Sequence, residues 1–303
     1  MENYKRTLKD WVIATRPWSF PASSMSVIVT AAYLYWKTSN EGGSFDWVNA
    51  VIALVMMVCF QAAGNLISDY YDHIKGVDLP GSYNGVRHIQ SGKFTPKDIL
   101  YYGFAFAILS ALLGVVILFR TGIEPIWIGI AGTLLAVFYP WLKYHAMGDY
   151  TILLAYALLP SIGTGFVVTG QYHPFVMLLS LTYGLMTVAI LHANNTRDIM
   201  NDNRAGITTL AILLGGRTCQ WVYMFEVLIP YLLIIAFCIT GQTKLWSLLV
   251  FLILPITIKK VMIMMKAEPN ADLPIATLDQ QTAQMQLQFS LVLTLSFVLS
   301  IFL

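Results

Sequence analysis

Four aspartates and two asparagines in this chain are spaced so that their oxygens converge in two matched groups. Asn65, Asp69 and Asp72 stand at i, i+4 and i+7 in the stretch Gly64-Asn-Leu-Ile-Ser-Asp-Tyr-Tyr-Asp-His. On a helix turning 100° per residue they fall within about 60° of one another. Asn194, Asp198 and Asp202 stand at i, i+4 and i+8, spread over about 80° of one helix face. Each group offers one amide oxygen and two carboxylates, with no basic partner expected on the same face. Such a donor set suits Mg²⁺, a hard cation that keeps several waters and is commonly shared with substrate phosphates. A single Asp where a helix leaves a membrane is ordinary interfacial polarity. Two matched groups point instead to a metal–diphosphate site, because uncompensated carboxylates beside hydrocarbon are costly.

The elements that must position these groups are membrane helices. Of the 303 residues, 57% are hydrophobic and 11% charged, and mean hydropathy is +0.66. Soluble domains carry about 25% charged residues. A net charge of +2 with scattered basic residues excludes a nucleic-acid-binding stripe. Cys59, Cys219 and Cys238 lie in apolar stretches without CxxC or Cys/His spacing, and read as buried thiols. The charged N-terminus has no cleavable signal pattern, so the first apolar stretch is expected to remain as an anchor. About nine stretches are long and apolar enough to span, near 20–36, 47–67, 99–119, 125–142, 150–169, 174–194, 219–240, 245–265 and 285–303. The expected fold is all-α, a polytopic bundle of about nine transmembrane helices in one domain. Residues 1–148 and 149–284 would form two related four-helix halves, with 285–303 added as a last helix.

All of the 18 basic residues except Lys37, Arg120 and Lys244 fall in the N-terminal arm or around and after the ends of even-numbered spans. The positive-inside rule then predicts a cytoplasmic N-terminus and an outer C-terminus. Both acidic groups end even-numbered spans on the cytoplasmic side and precede the two long polar loops, 73–98 and 197–218. Long loops on one face of a compact bundle are commonly functional.

These residues resemble the UbiA superfamily of intramembrane prenyltransferases, and in motif order the likeness covers nearly the whole chain. Asn65, Asp69 and Asp72 match its first motif in the shortened NxxxDxxD form of the branch that prenylates 1,4-dihydroxy-2-naphthoate for menaquinone. Asp198 and Asp202 match its DxxxD motif. Trp11-Val-Ile-Ala-Thr-Arg-Pro, Lys75-Gly-Val-Asp, Gly148-Asp149 and Asn194-Asn-Thr-Arg-Asp are similar to further segments of that branch. Ile207 and Leu213 depart from it, standing where the family often has basic residues.

The resemblance implies a Mg²⁺-dependent transferase in the plasma (inner) membrane, moving an isoprenoid chain from polyprenyl diphosphate to an aromatic acceptor. The acceptor expected is 1,4-dihydroxy-2-naphthoate, with 4-hydroxybenzoate, homogentisate, protohaem or a lipid glycerol as alternatives. Asn65, Asp69, Asp72, Asn194, Asp198 and Asp202 would hold the metal, with Asp198 or Asp202 also orienting the acceptor phenol. Lys75, Arg87 and Arg197, joined by Arg16, Lys143 and Arg204, would contact the diphosphate. Tyr70, Tyr71, Tyr139 and Tyr144 are candidates to face an allylic cation, and interfacial aromatics are common in any case. The isoprenoid tail would lie in an apolar cleft open to lipid, and no protein partner is implied. An ion-coupled transporter is the main rival from another class, but its sites tend to lie at broken helices near the midplane. His192 reads as a packed histidine, His88 and His145 as surface residues, and Glu226 as an intramembrane acid with no partner named. The Asn194-Asn-Thr sequon falls on the inferred cytoplasmic side and is set aside.

Overall fold

A computed structural model describes residues 6–74, 76, 88–267 and 275–302. Among these the regular elements are all helical, with one isolated β-bridge joining two loops. A short α1 (Leu8–Ala14) precedes α2 (Pro21–Glu41), α3 (Trp47–Ile74), α4 (Pro96–Thr121) and α5 (Ile126–Lys143). Then come α6 (Gly148–Thr169), α7 (Pro174–Arg197), two short helices α8 (Ile199–Arg204) and α9 (Leu210–Leu214), and α10 (Gly216–Ile239). The chain closes with α11 (Leu245–Met265) and α12 (Leu278–Phe302).

Local chemistry sets most of these boundaries. Proline opens α2, α4 and α7, where its missing N–H costs nothing and its fixed φ already suits the helix. Thr95 caps α4 in a reciprocal capping box with Asp98. Two interruptions also trace to proline. In α6 the segment Leu154–Leu158 widens to a π-turn just before Pro160, and in α11 the segment Leu245–Ile253 is 3₁₀ until Pro255. Irregular turns of this kind re-satisfy the backbone groups that proline leaves open in lipid.

Seven of the nine expected spans, α3, α4, α6, α7, α10, α11 and α12, are long and apolar enough to cross a membrane. The other two fall on α2, of 21 residues, and α5, of 18. In the first half of α2 the polar residues face inward, and Ser23, Ser26 and Thr30 are fully buried. By contrast α4 and α5 turn Leu112, Phe119, Leu134 and Val137 outward, as helices facing lipid tails do.

Tight approaches and shared hydroxyls tie the helices together. A Cβ on Gly103 would meet Ile67 Cγ1 at 2.9 Å, and one on Gly184 would meet Ala157 Cβ at 2.6 Å. Glycine therefore sets the α3–α4 and α6–α7 contacts, as small residues do in membranes. Tyr183 shares hydrogen bonds with Thr30 (3.0 Å) and Ser161 (2.7 Å), Tyr223 with Thr282 (2.7 Å), and Tyr231 with Thr257 (2.7 Å). Inside lipid each such bond contributes about 0.6–2 kcal/mol.

Candidate active site

The loops at one end of the bundle are stitched to one another around the acidic helix ends. α1 lies over the ends of α3 and α4, with Trp11 packed edge-on against Phe94 and Tyr102. Lys93 binds Asp10 (2.5 Å) and Arg6 binds Asp98 (2.7 Å). The Lys93 hydrogen bond holds the Asp10 carboxyl far below the usual carboxylate range. His88, expected at the surface, is buried beside Phe94, and burial pushes its imidazole down. His145 is exposed, as expected, and stacks on Trp141.

At the end of α3 the three residues of the first group remain helical and share one face, as the spacing predicts. Asn65 donates from Nδ2 to the Thr15 carbonyl (2.9 Å) and to Ser19 Oγ (2.8 Å), anchoring the arm that carries Arg16. Arg16 has φ 55°, in the left-handed region that a non-glycine residue seldom occupies without surrounding constraint. The next residue is Pro17, and from this turn the Arg16 guanidinium reaches Asp69. Asp72 accepts from Tyr144 Oη (2.8 Å) and lies 3.4 Å from Lys143 Nζ. The expectation of no basic partner on the metal face is therefore corrected. Arg16 and Lys143 arrive from outside α3, and the spacing within the helix carries no trace of them.

The second group differs from its expected form. α7 ends at Arg197, Asp198 has non-helical ψ, and Asp202 sits on the separate α8, although its N–H still bonds the Asp198 carbonyl (2.9 Å). Arg197 is nearly buried and engages both oxygens of Asp198, at 3.0 and 2.8 Å. It also reaches Asn194 Oδ1 (2.5 Å), the Ala276 carbonyl (3.2 Å) and Asp279 (3.0 Å). The expected diphosphate ligand Arg197 is thus committed to the protein's own carboxylates. Arg204 is exposed at the end of α8. Lys75 and Arg87 lie outside the described residues.

A two-residue bridge brings the groups together. Ala146, with φ 61°, donates to the Thr208 carbonyl (2.8 Å), and Thr208 donates to the Tyr144 carbonyl (3.2 Å). The segment after α8 is thereby fixed to the loop that carries Lys143 and Tyr144. Burial pushes the Asp202 carboxyl up to about 7; Lys143 opposes this, while Asp198 and Asp72 add to it. Tyr144 bonds Asp72 through its side chain and the segment after α8 through its carbonyl, so both acidic helix ends lie at one end of the bundle. Of the two positions where the family often has basic residues, Ile207 is buried and Leu213, on α9, is exposed. Tyr139 is half-buried on α5, within the fields of Asp72 and Asp149.

Sequence reasoning did not anticipate that Asp149 accepts from His192 Nδ1 (3.0 Å), that Glu226 stands 3.9 Å from the same nitrogen, or that Asp279 anchors Arg197. The intramembrane position of Glu226 was the available signal for the second of these contacts.

An all-helical membrane bundle with two acidic helix ends at one end has UbiA-like architecture, that of a multi-pass membrane protein. The chain belongs to the UbiA prenyltransferase family, whose model matches residues 17–300. It is 32% identical over 237 residues to a Xenopus tropicalis protein named UbiA prenyltransferase domain-containing protein 1, covering 76% of this chain and 67% of that one. Two solved structures share the fold. A UbiA homolog from Archaeoglobus fulgidus bound to GPP and Mg²⁺ has TM-score 0.64 and 14% identity over 97% of this chain and 99% of that one. A digeranylgeranylglyceryl phosphate synthase has TM-score 0.62 and 19% identity, over 98% and 99%.

Proposed function

We propose that the chain transfers a polyprenyl group from polyprenyl diphosphate to 1,4-dihydroxy-2-naphthoate at the cytoplasmic face of the plasma membrane. The observation that carries this reading is that the loop of Lys143 and Tyr144 binds Asp72 and is bridged to the segment that follows Asp202, so that both acidic helix ends lie together. The branch rests on the NxxxDxxD spacing of Asn65, Asp69 and Asp72 and on the Asn194-Asn-Thr-Arg-Asp sequence. The donor set fits Mg²⁺, because carboxylate and amide oxygens predominate. Asp69, Asp72, Asp198 and Asp202, with Asn65 and Asn194, would hold it. When bound, Mg²⁺ offsets the charge that gathers on the departing diphosphate.

Arg16 and Lys143 bind diphosphate oxygens and exchange their carboxylate partners for the substrate. The allylic carbon–oxygen bond breaks with its electron pair going to diphosphate. Tyr139 and Tyr144 face the resulting cation, and Asp198 or Asp202 orients the acceptor hydroxyl. The ring carbon bearing the carboxylate forms the new carbon–carbon bond. Its bond to the carboxylate carbon then breaks, CO₂ leaves, and the electron pair restores the aromatic ring. The isoprenoid tail extends into lipid between helices. α2 and α5 complete nine spans, in halves 1–148 and 149–284 with a last helix.

Two experiments test this. Reconstituted protein with Mg²⁺, a series of prenyl diphosphates and a panel of acceptors should give a carboxylate-free prenylated naphthoquinol by mass spectrometry. Conversion of 4-hydroxybenzoate with its carboxylate retained, and none of the naphthoate, would overturn the branch. Cysteines replacing Ser91 and Gln242, both exposed, should label from opposite sides of sealed vesicles. Same-side labelling would overturn the topology.

A further inference from the structure

Apart from the acidic helix ends, three ionisable side chains from three helices meet inside the bundle. Asp149 lies in the first turn of α6, His192 near the end of α7 and Glu226 within α10, and they are 5%, 0% and 8% exposed. His192 Nδ1 is 3.0 Å from Asp149 Oδ2 and 3.9 Å from Glu226 Oε1. One ligand atom from each residue lies within 4.8 Å of the other two. The remaining atoms, Asp149 Oδ1, Glu226 Oε2 and His192 Nε2, are buried without a hydrogen-bond partner.

Protein–protein contacts alone leave this cluster poorly compensated. Among the described residues neither acid pairs with Lys or Arg, so an imidazolium could balance only one of the two carboxylates. Buried groups in that condition within a membrane span mark an unfilled role. A divalent ion with neutral imidazole balances both acids at once. Ligand bonds of about 2.0–2.2 Å in tetrahedral geometry place ligand atoms about 3.4 Å apart, and the separations of 3.0 and 3.9 Å bracket that value. One nitrogen and two oxygens suit Zn²⁺ or its neighbours, whereas Mg²⁺ favours six oxygens. The thiol of Cys219 lies within hydrogen-bond reach of the imidazole and of the Ala211 carbonyl (3.6 Å), so it too stands beside the cluster.

We propose that Asp149, His192 and Glu226 form a site for one divalent transition-metal ion of the Zn²⁺ kind, distinct from the aspartate groups, joining α6, α7 and α10 with a fourth position open. The probe is Co²⁺, added to chelator-stripped full-length protein in detergent with excess Mg²⁺ present to occupy the hard oxygen sites. A visible band of low-coordinate Co²⁺ should saturate near about one equivalent and be displaced by Zn²⁺. X-ray absorption at the cobalt edge should read nitrogen among the nearest ligands. Asp149→Asn, His192→Gln and Glu226→Gln should each weaken binding at least about tenfold, while Asp69→Asn leaves it intact. Absence of the band, an all-oxygen shell, persistence of the band in any folded triad variant, or its loss in Asp69→Asn would each overturn the proposal. The wild-type spectrum and ligand shell decide the matter even where a variant does not fold.

Discussion

The two acidic helix ends carry the same donor types but are neutralised differently. At the end of α3 the counter-charges come from distant segments: Arg16 from a left-handed turn before α2, and Lys143 from the end of α5. The Arg16 side chain is 35% exposed, so it is free to exchange a carboxylate for an arriving anion. At the end of α7 the counter-charge is the adjacent residue, Arg197, with its side chain only 4% exposed and a second anchor on Asp279 of α12. On the proposed function, the Arg16–Asp69 pair would open to an arriving anion, whereas the pairs of Arg197 with Asp198 and Asp279 hold the second helix end in shape.

The largest expected effect tests what the two ends share. Asp69→Asn and Asp198→Asn should each reduce turnover about a thousandfold, roughly 4 kcal/mol of barrier, while the solubilised protein stays monodisperse. Retention of more than about a tenth of wild-type rate by either variant, only 1.4 kcal/mol, would sink the shared mechanism.

The next effect separates them. Arg197→Ala leaves Asp198 and Asp279 buried without their cation, a loss that typically costs about 3 kcal/mol or more of stability. A melting curve by size-exclusion chromatography should show a large drop. Arg16→Ala should leave the melting point almost unchanged and raise the KM for prenyl diphosphate about tenfold, roughly 1.4 kcal/mol. If Arg197→Ala raised KM without loss of stability, the division between the two ends would fail.

Much of this frame was legible in the residues. Apolar stretches placed seven helices long enough to cross a membrane, and the spacing of Asn65, Asp69 and Asp72 placed three oxygen-bearing side chains on one helix face, because both depend only on local period. The second group was less legible. Its spacing implies a continuous helix, but the chain breaks at Asp198, where Arg197 turns toward Asp279, some eighty residues later in sequence. Contacts of that range leave no periodic signal. The same holds for the Ala146–Thr208 bridge and for Asp149 meeting His192 and Glu226. Glu226 looked partnerless because its partners lie on two other helices.

The smallest effect sharpens the Arg16 end by separating its backbone from its charge. Arg16 occupies φ 55°, ψ 59°, where a residue with a Cβ is less stable than glycine by about 1–2 kcal/mol. Asn65 holds this turn by binding the Thr15 carbonyl and the Ser19 hydroxyl, so the conformation persists whatever side chain stands at position 16. Arg16→Gly and Arg16→Ala both remove the guanidinium and should show the same rise in KM. The glycine variant alone relieves the backbone, and should be more stable than the alanine variant by about 1 kcal/mol. Equal stability would mean that the turn relaxes once Asp69 loses its partner, so that the ion pair shapes the turn. A stability gain for glycine with matched kinetics would mean that the fold imposes the turn and the turn aims the charge.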